Sequence, residues 1–402
     1  MLHYMEARQK VIATVAARVQ RPEGESVPLG ASLGRVLAEE ACADRDYPPF
    51  DRSTRDGFAL RAADVAHAPA TLKLVGEVRA GESFAGTVGP EECVQIMTGA
   101  PVPEGADAVV MVEHTKPGGD QVVVERTVTA GANIVARGRE AARGARLLGA
   151  GREIGYPEVS LLGQVGRAQV AVCRRPRVAV LSTGDELVPV EAQPGPTQIR
   201  NSNSHSMAAQ VTLSGGEPVL LGNAPDEIAA LERLIKRGLK ENLLVLTGGV
   251  SRGKYDLVEV VLRQLGAEFY FDAVAIRPGR PAVFGACQGK FVFGLPGNPV
   301  STMVTFELFV APVVALLAGA SAPPLQFLKA RLAEPITQKS GLTMFLPAQL
   351  EGEGGEVAVR AVPWQGSGDV AALAGSNCFL VVPEGVTGLA AGTYVDVFPR
   401  SG

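Results

Sequence analysis

The sequence predicts a multidomain protein in which a doubly wound α/β unit is flanked by separate β units. The chain has 402 residues, more than one ordinary core accommodates, which favours about two to four domains. Between residues 177 and 317, strand-like and helix-like segments alternate, as in a parallel sheet covered by helices on both faces. On either side of this region, short β-rich runs separated by Gly and Pro turns indicate β units.

The first half of the chain begins with a helical pattern and continues with β patterns. Residues 5–20 carry an apolar stripe formed by Met5, Ile12, Val15 and Val19, which predicts a helix. Within residues 45–138 the β-rich runs lie at 72–75, 93–97, 108–112 and 121–124. A Gly-rich stretch at 138–166 then leads into the α/β region.

The α/β region is predicted from its alternating pattern. Strands are expected at 177–181, 243–246, 269–274, 282–285 and 291–294, and helices at 203–213, 226–239, 256–265 and 299–317. The residues expected to face inward on two of these helices are Ile228, Leu231, Leu234, Ile235 and Leu239, and Leu257, Val260, Val261 and Leu265. After Ala320, the pair Pro323 and Pro324 and further short strands predict a separate β unit.

Charge and hydropathy exclude several classes of protein. The net charge is −4, and the basic residues are scattered, so no basic face for nucleic acid is expected. No membrane span is expected, because the apolar stretch at 310–320 is interrupted by Pro312 and Gly319. The first ten residues include the charged Glu6, Arg8 and Lys10 where a secretory signal would be apolar, which predicts a cytoplasmic protein.

The cysteine and histidine residues do not have the spacing of a metal site. None of the five cysteines lies within four residues of another, and the four histidines are equally dispersed. Carboxylates are therefore the candidate metal ligands, and they favour a hard cation such as Mg²⁺.

Three loops follow strands of the predicted α/β sheet and contain Gly-bearing turns. Their sequences are LSTGDELV from residue 181, LTGGVSRGKYD from residue 246 and GLPGNPVS from residue 294. Ligands of open α/β sheets bind outside the carboxyl ends of the strands, so these loops predict an anion site. Gly248 and Gly249 form a bare turn suited to phosphate, and Asn298 with Pro299 predicts a helix start that also favours anions.

Charged residues accompany these loops. Asp185, Glu186 and Asp256 are candidates for Mg²⁺ ligands or for hydrogen bonds to a ribose, and Arg277 and Arg280 for phosphate contacts. The alternatives are that the acids lie in a solvated turn, that the Gly pair is only a tight turn, and that the prolines of GLPGNP only stiffen their loop. Three such loops at one sheet edge favour a ligand site.

Two earlier segments, 48–61 and 96–110, are unusually dense in Pro, Gly and Asp. Periodicity does not explain why Asp51, Arg52, Arg55 and Asp56 occur together in one turn. A charged surface turn with Asp and Ser caps remains the alternative to a functional role.

Almost the whole chain resembles the molybdopterin molybdenumtransferase family, the bacterial relatives of the C-terminal part of gephyrin. The signatures that carry the resemblance are GRVLAEE (34–40), PPFDRSTRDGFALR, IMTGAPVPEGADAVVM, LSTGDEL, LTGGVSRGKYD, RPGRPAVFG and GLPGNPVS. The resemblance implies four parts: a split elongated domain (1–44 and 139–172), a β domain (45–138), a molybdopterin-binding α/β domain (173–320) and a C-terminal β-barrel (321–402). It also implies that the early helix and the 138–166 stretch belong together.

The resemblance implies a reaction and its participants. Family members take adenylylated molybdopterin and molybdate, hydrolyse the adenylate with the help of Mg²⁺, leave molybdenum on the dithiolene and release AMP. A homodimer with a shared active site is implied, in which Asp56 and Thr98 act on the partner's α/β domain. The upstream molybdopterin adenylyltransferase is a possible partner.

The site residues are carried over one at a time. Catalytic roles are implied for Asp56, Thr98, Glu186 and Asp256, and metal binding for Glu186, Asp256 and Glu140. The expected binding residues are Ser182, Thr183, Gly184, Asp185, Asp226, Gly248, Gly249, Ser251, Arg277, Arg280, Pro296, Pro299 and Ser367.

The sequence departs from the family pattern at several positions. Arg277 and Arg280 replace usual lysines, Glu140 replaces an aspartate and Leu342 replaces an arginine. These departures leave open a divergent paralogue with altered oxyanion preference, such as tungstate. A non-catalytic scaffold like gephyrin is disfavoured by the retained acids, and a related adenylyltransferase by the large flanking domains.

Overall fold

The fold is that of a computed structural model, which describes residues 1–249, 257–338, 341–352 and 357–400. Three six-stranded sheets and several short strand pairs account for its β structure in those residues. The predicted combination of an α/β part with separate β parts is confirmed. The predicted site residues Ser251 and Asp256 lie outside the described residues.

The α/β sheet is mixed. Its strands, in spatial order, are Glu217–Ala224, Arg177–Thr183, Leu243–Thr247, Lys290–Leu295, Val283–Cys287 and Glu268–Phe271. The first four strands are parallel, and the last two pair antiparallel. The expectation of a purely parallel sheet is therefore wrong at this edge. Gln288 and Gly289, with φ of 49° and 78°, form a two-residue hairpin turn that reverses the chain.

Helices cover both faces of this sheet. One face is covered by Asn203–Leu213 and by a long helix composed of Pro299–Thr305, a π-helical turn Phe306–Val310 and Ala311–Leu317. The other face is covered by Ile228–Gly238 and Leu257–Gln264. Successive residues of the central strands alternate between the two cores, as the two-residue period of a strand requires.

Two of the residues expected to face inward are exposed. Leu231, Ile235 and Val261 are buried, but Ile228 is 43% exposed and Val260 is 44% exposed. Ile228 is the first residue of its helix, where no preceding turn covers it. In the neighbouring helix, Val258 and Leu262 fill the core beside Val261, which turns Val260 outward.

The long helix has the bounds predicted from the sequence, 299–317. It runs through Pro312 and ends at Leu317, before Gly319. The π-helical turn precedes Pro312 and adjusts the backbone hydrogen bonding there. Pro299–Leu317 thus has 19 residues with a mean hydropathy of 2.0, long enough to span a membrane, but 72% of its most apolar window is buried inside the protein. A buried core helix has the same length and composition, so this is weak evidence for a span.

The N-terminal helix Tyr4–Ala16 packs on the α/β unit. Two capping bonds fix its start: the backbone N–H of His3 donates to Oε2 of Glu6 at 3.2 Å, and the N–H of Met5 donates to Nδ1 of His3 at 3.4 Å. Its buried residues Ala7, Val11 and Val15 belong to the same core as the long helix. The assignment of this helix and the 138–166 stretch to one domain, which the resemblance implies, stays a prediction.

The segments on either side of the β insert pair with each other. Gly24–Pro28 pairs with Gln169–Cys173, and Ala41–Cys42 pairs with Arg146–Leu148. The helix Tyr156–Gln164 packs beside them, around Leu37, Ile154 and Leu162. Between these segments, the predicted β runs are found in a sheet of Ala108–Met111, Gly57–Leu60, Glu92–Ile96, Ala70–Val78, Gln121–Val124 and Thr115–Gly118. Arg52–Ser53 pairs with Ile134–Val135 next to this sheet.

The C-terminal region forms a closed five-stranded barrel, as predicted. Its strands, in order around the ring, are Thr343–Glu351, Ala358–Ala361, Leu328–Leu332, Tyr394–Pro399 and Cys378–Val382, and the last pairs with the first. Ile276–Arg277 adds to the outside of Thr343–Glu351 and connects the α/β unit to the barrel. The short helix Val370–Ala374 and the strand pair Ile336–Thr337 and Gly388–Leu389 complete this region.

One further strand pair belongs to the α/β unit, where Leu187–Val188 pairs with Ile199–Arg200 at its edge.

Replacing Phe284 tests the aromatic core at the antiparallel edge of the α/β sheet. Phe284 is fully buried, and its ring centroid lies 4.8 Å from that of Phe293 and 5.2 Å from that of Tyr270. We expect Phe284→Ala to lower the free energy of unfolding by about 3–5 kcal/mol, measured by urea denaturation. The control Tyr156→Ala, at a side chain that is 85% exposed, should change it by less than about 0.5 kcal/mol. Equal effects of the two substitutions would contradict the packing described.

Candidate functional site

A cavity of about 560 Å³ opens at the carboxyl ends of the parallel strands, and we call it the front cavity. Each of the three loops predicted from the sequence contributes to its wall. The lining residues are Thr183, Gly184, Glu186, Leu187, Ile199, Arg200, Asn201, Ser202, Asn203, Asp226, Thr247, Gly248, Gly249, Pro281, Pro296, Gly297, Asn298, Pro299 and Gly368. The fold therefore brings together segments that lie up to 185 residues apart, from Thr183 to Gly368.

The turn at Gly248 and Gly249 accepts only glycine. Their φ angles are +89° and +60°, in the left-handed region. A Cβ on Gly248 would lie 2.6 Å from the carbonyl oxygen of Thr183. The backbone of this turn therefore packs directly against Thr183, the last residue of the neighbouring strand, and it lines the cavity there.

Two polar atoms on the cavity wall are buried without a hydrogen-bond partner among the described residues. They are Oγ1 of Thr183 and Oδ1 of Asn203. A buried polar atom without a partner is costly, typically by about 1–3 kcal/mol. The two atoms indicate that a ligand or ordered water completes this wall.

Ser182 is placed differently from Thr183. Its hydroxyl is fully buried, 2.8 Å from the Ser204 hydroxyl and 3.1 Å from Oδ1 of Asn201. Ser182 does not line the front cavity. Its contacts are those of a residue that anchors the segment 201–204, so its predicted role in ligand binding stays a prediction.

Three carboxylates gather at one side of the front cavity. Glu186 and Asp226 line it, and the backbone N–H of Asp226 donates to Oδ1 of Asp185 at 3.1 Å. Burial, together with the charges of Asp185 and Glu186, raises the pKa of Asp226. In the described residues no three His, Cys, Asp or Glu side chains are arranged to hold a metal ion, and the predicted ligand Asp256 is not among them.

The loop with the two prolines is fixed by threonine hydroxyls. Those of Thr247 and Thr302 both donate to the carbonyl of Pro296, at 2.9 and 2.5 Å. Asn298 occupies the N-cap position, as predicted, but its side chain makes no capping bond and stays at the cavity wall.

A turn from the C-terminal region reaches the same helix start. The N–H of Val300 donates to the carbonyl of Ser367 at 3.0 Å, and Gly368 lines the cavity. The structure therefore places the predicted Pro296, Pro299 and Ser367 together.

Arg277 and Arg280 lie beside the cavity but do not line it. Both side chains are exposed on the RPGRP turn, whose Pro281 does line the cavity. Gly279, with φ of +109°, packs this turn against the long helix, where a Cβ would meet Thr305 at 2.5 Å. Their predicted contacts with phosphate stay a prediction.

Sequence reasoning missed the segment Arg200, Asn201, Ser202 and Asn203, all of which line the front cavity. Asn203 donates through Nδ2 to the Thr247 hydroxyl at 3.1 Å and to the Gly297 carbonyl at 2.7 Å. Arg200 donates through Nε to the Ala192 carbonyl at 3.1 Å. The available signal is the run of Asn and Ser residues at the start of the predicted helix 203–213.

Asp56 and Thr98 form a pair on the N-terminal β sheet. The backbone N–H and the hydroxyl of Thr98 both donate to Oδ1 of Asp56, at 2.6 and 2.8 Å. The N–H bond first, and then the hydroxyl bond, lower the pKa of the Asp56 carboxyl. Both residues are exposed, and neither lines the front cavity of its own chain.

Two other charges of the dense turn at 48–61, on Asp51 and Arg52, are engaged in local bonds. Arg52 forms an ion pair of 2.9 Å with Glu140, and Oδ1 of Asp51 accepts from the N–H of Arg137 at 2.8 Å. The turn is thus attached to the segment that leaves the β insert. Glu140 does not line the front cavity, so the structure does not bring it to Glu186 within one chain.

Three family models match successive parts of the chain. They are described as the MoeA N-terminal region (domain I and II), matching residues 2–166, a probable molybdopterin binding domain, matching 179–316, and the MoeA C-terminal region (domain IV), matching 329–399.

Named relatives and solved structures agree with these models. The chain is 36% identical to the molybdopterin molybdenumtransferase of Bacillus subtilis (strain 168), over 93% of this chain and 89% of that one. It is 35% identical to the molybdopterin molybdenumtransferase of Staphylococcus aureus (strain Mu50), over 92% and 90%. The crystal structure of the molybdopterin biosynthesis moeA protein from Pyrococcus horikoshii OT3 superposes with a TM-score of 0.82, at 30% identity and covering 100% of both chains.

The pKa of Asp56 provides a test of the Asp56–Thr98 pair. Thr98→Val removes the hydroxyl bond and keeps the N–H bond, so the pKa of Asp56 should rise while staying below its ordinary value. As pH falls, the carboxylate of the variant should therefore be protonated earlier than in the wild type, which NMR titration would measure. The control Thr115→Val removes a hydroxyl that bonds the Val112 carbonyl and should leave the Asp56 titration unchanged. An unchanged pKa in Thr98→Val would contradict the pairing.

Proposed function

The chain belongs to the molybdopterin molybdenumtransferase family, and from this membership we propose that it inserts molybdate into adenylylated molybdopterin and releases AMP. The predicted family and the predicted enzyme class are confirmed, and the protein acts in molybdenum cofactor biosynthesis. The reaction, the metal, the site residues and the dimer are the parts that we propose.

The front cavity is the observation that supports the proposal most. Its volume of about 560 Å³ suits a ligand of nucleotide size. The glycine turn, in which the N–H of Gly248 also donates to the Leu295 carbonyl at 3.2 Å, offers bare backbone to a phosphate, and the unpartnered Thr183 hydroxyl adds a donor. Asn203 Oδ1 offers an acceptor to a hydroxyl or amino group of the ligand.

Positive charge near this wall matches an anionic substrate. Arg200 lines the cavity, and the helix Asn203–Leu213 begins there, so its positive dipole end faces the ligand. We propose that Arg277 and Arg280, exposed on the adjacent turn, attract molybdate and orient it with their forked donors. Pro296 and Pro299 would keep the GLPGNPVS loop rigid, and the carbonyl of Ser367 accepts from the N–H of Val300 in the helix that follows this loop.

The carboxylates at the cavity suit Mg²⁺. Desolvation and the nearby charges of Asp185 and Glu186 raise the pKa of Asp226, and a divalent cation would relieve this crowding of negative charge. We propose that Glu186 and Asp256 hold the ion and that Asp226 and Asp185 complete its surroundings. Bound Mg²⁺ would neutralise charge on the phosphoanhydride as it is cleaved. Glu140, the third predicted ligand, would first have to leave its exposed ion pair with Arg52.

The position of Asp56 and Thr98 supports a shared site. Neither lines the cavity of its own chain, and the bonds from Thr98 that lower the pKa of Asp56 also fix the position of its carboxylate. We propose a homodimer in which this pair completes the front cavity of the partner subunit, where the carboxylate would orient the attacking water or the metal shell. Receipt of substrate from the upstream adenylyltransferase is part of the same proposal.

We also propose a cytoplasmic location and the four domains at 1–44 with 139–172, 45–138, 173–320 and 321–402. The five cysteines, all of them free, support a reducing compartment. The three family models and the three large sheets support the division.

The role of Glu186 can be measured with adenylylated molybdopterin, molybdate and Mg²⁺, following AMP release. Glu186→Gln should lower kcat/KM by about 100-fold or more, because it removes the carboxylate proposed to hold the metal. The control Glu191→Gln, at an exposed residue that does not line the cavity, should stay within about twofold of wild type. The same assay with tungstate distinguishes an altered oxyanion preference. Wild-type activity of Glu186→Gln would overturn the assignment.

The shared site predicts complementation between two inactive variants. Co-expressed Asp56→Asn and Glu186→Gln chains form mixed dimers that contain one site with both wild-type side chains. If half of the dimers are mixed, the preparation should recover about one quarter of wild-type activity. A site formed within one chain predicts no recovery, and that result would refute the proposed sharing.

A further inference from the structure

A second cavity, of about 520 Å³, lies away from the front cavity, and we call it the rear cavity. Its wall is formed by the N-terminal helix, the residues near 34–36, the ends of two α/β helices and the linker to the barrel. The proposed reaction uses none of the residues that line it.

Two helices separate the cavities. Asn203 lines the front cavity, whereas Thr212 and Leu213, at the other end of the same helix, line the rear one. At about 1.5 Å per residue, this 11-residue helix spans about 16 Å. The long helix likewise begins at the front cavity with Pro299 and lines the rear cavity with Ala311 and Ala315. The rear cavity is therefore a separate site.

Arginine side chains give the rear cavity its positive charge. Arg8 is only 5% exposed and donates to the carbonyls of Leu308 and Pro323. Burial lowers the pKa of Arg8 to about 10, so it remains charged at neutral pH. Arg175 is partly buried and forms no ion pair with any described residue, which leaves its guanidinium available to an anion.

The remaining charges on the wall are mostly engaged. Arg35 pairs with Glu25, and Glu307 accepts a hydrogen bond from Gln210 at 3.3 Å. Glu153 is exposed at the rim. Arg175 is consequently the charge that a ligand would meet.

Gln210 adds an unsatisfied acceptor. Its Nε2 donates to the Met303 carbonyl at 3.1 Å and to Glu307, which fixes the orientation of the amide because both partners are acceptors. Its Oε1 is buried and has no partner among the described residues. A ligand N–H or O–H would satisfy it.

Most of the remaining wall is apolar and contains small side chains, although Thr212, Ser214 and Ser321 also line it; the hydroxyls of Thr212 and Ser214 donate to helix carbonyls. The apolar residues are Val36, Leu213, Ala311, Ala315, Ala318, Pro323, Pro324, Leu325 and Phe398. Three alanines on one side of the long helix leave room for a flat apolar body. The volume lies within the range of about 300–1,000 Å³ typical of small-molecule sites.

We propose that the rear cavity binds a small organic anion that combines a carboxylate, sulfonate or phosphate, an apolar ring body and one N–H or O–H donor. The anion pairs with Arg175, the donor bonds Oε1 of Gln210, and the rings lie against the alanine face of the long helix. This site is independent of the molybdenum insertion reaction proposed above.

The fluorescent probe 8-anilinonaphthalene-1-sulfonate has these three chemical features and tests the proposal with the full-length protein. We expect saturable binding of one equivalent, with the affinity reduced by about tenfold or more in Arg175→Gln and in the cavity-filling Ala315→Phe. The control Arg174→Gln changes the neighbouring exposed arginine, which pairs with Glu23 and does not line the cavity, and should bind like wild type.

Two results would overturn the proposal. One is wild-type affinity, within about twofold, in Arg175→Gln. Arg175 is partly exposed, so this substitution should leave the fold intact. The other is displacement of the probe by AMP, which would locate it in the front cavity. Thermal unfolding of each variant checks that Ala315→Phe remains folded, so that a loss of binding in it reports on the cavity.

Discussion

The hydroxyl of Thr247 is the interaction on which the front cavity depends. It is almost fully buried, donates to the Pro296 carbonyl and accepts from the side chain of Asn203. A single atom thereby connects the end of a central strand, the proline loop and the start of the helix Asn203–Leu213. These three bonded elements come from distant parts of the sequence, and their arrangement determines where the glycine turn and the unpartnered atoms of Thr183 and Asn203 face. The cavity is thus preorganised by hydrogen bonds that involve no ligand.

The flanking regions contribute to the same place. The strand Ile276–Arg277 joins the barrel sheet directly before the RPGRP turn, and the Ser367 carbonyl accepts from the first free N–H of the long helix. An α/β unit alone would lack both constraints. The groups that meet at the cavity thus belong to several structural units. This gives a structural reason why the α/β unit is part of a longer chain.

Local sequence patterns predict many of the helices and strands, but they do not predict contacts between residues that are distant in the sequence. The helix Asn203–Leu213 is predicted with its observed bounds, because both its start and its apolar period depend on residues within the helix and next to it. The docking of the N-terminal helix on the α/β core was missed, since nothing near Val11 specifies a partner more than 290 residues away in Phe306. The antiparallel edge was missed because Gln288 and Gly289 were not recognised as a hairpin turn. At the site, motif residues were easier to find than Arg200, whose position follows only from the strand pair that precedes the helix.

A structure of the protein with AMP, Mg²⁺ and molybdate would test most directly the central claim that the front cavity is the reaction site. The account predicts that the AMP phosphate lies within hydrogen-bond distance of the Gly248–Gly249 turn and the Thr183 hydroxyl, with the metal at Glu186. It also predicts that Asp56 of the partner subunit approaches the same phosphate. AMP bound elsewhere, with Thr183 still lacking a partner, would contradict the account.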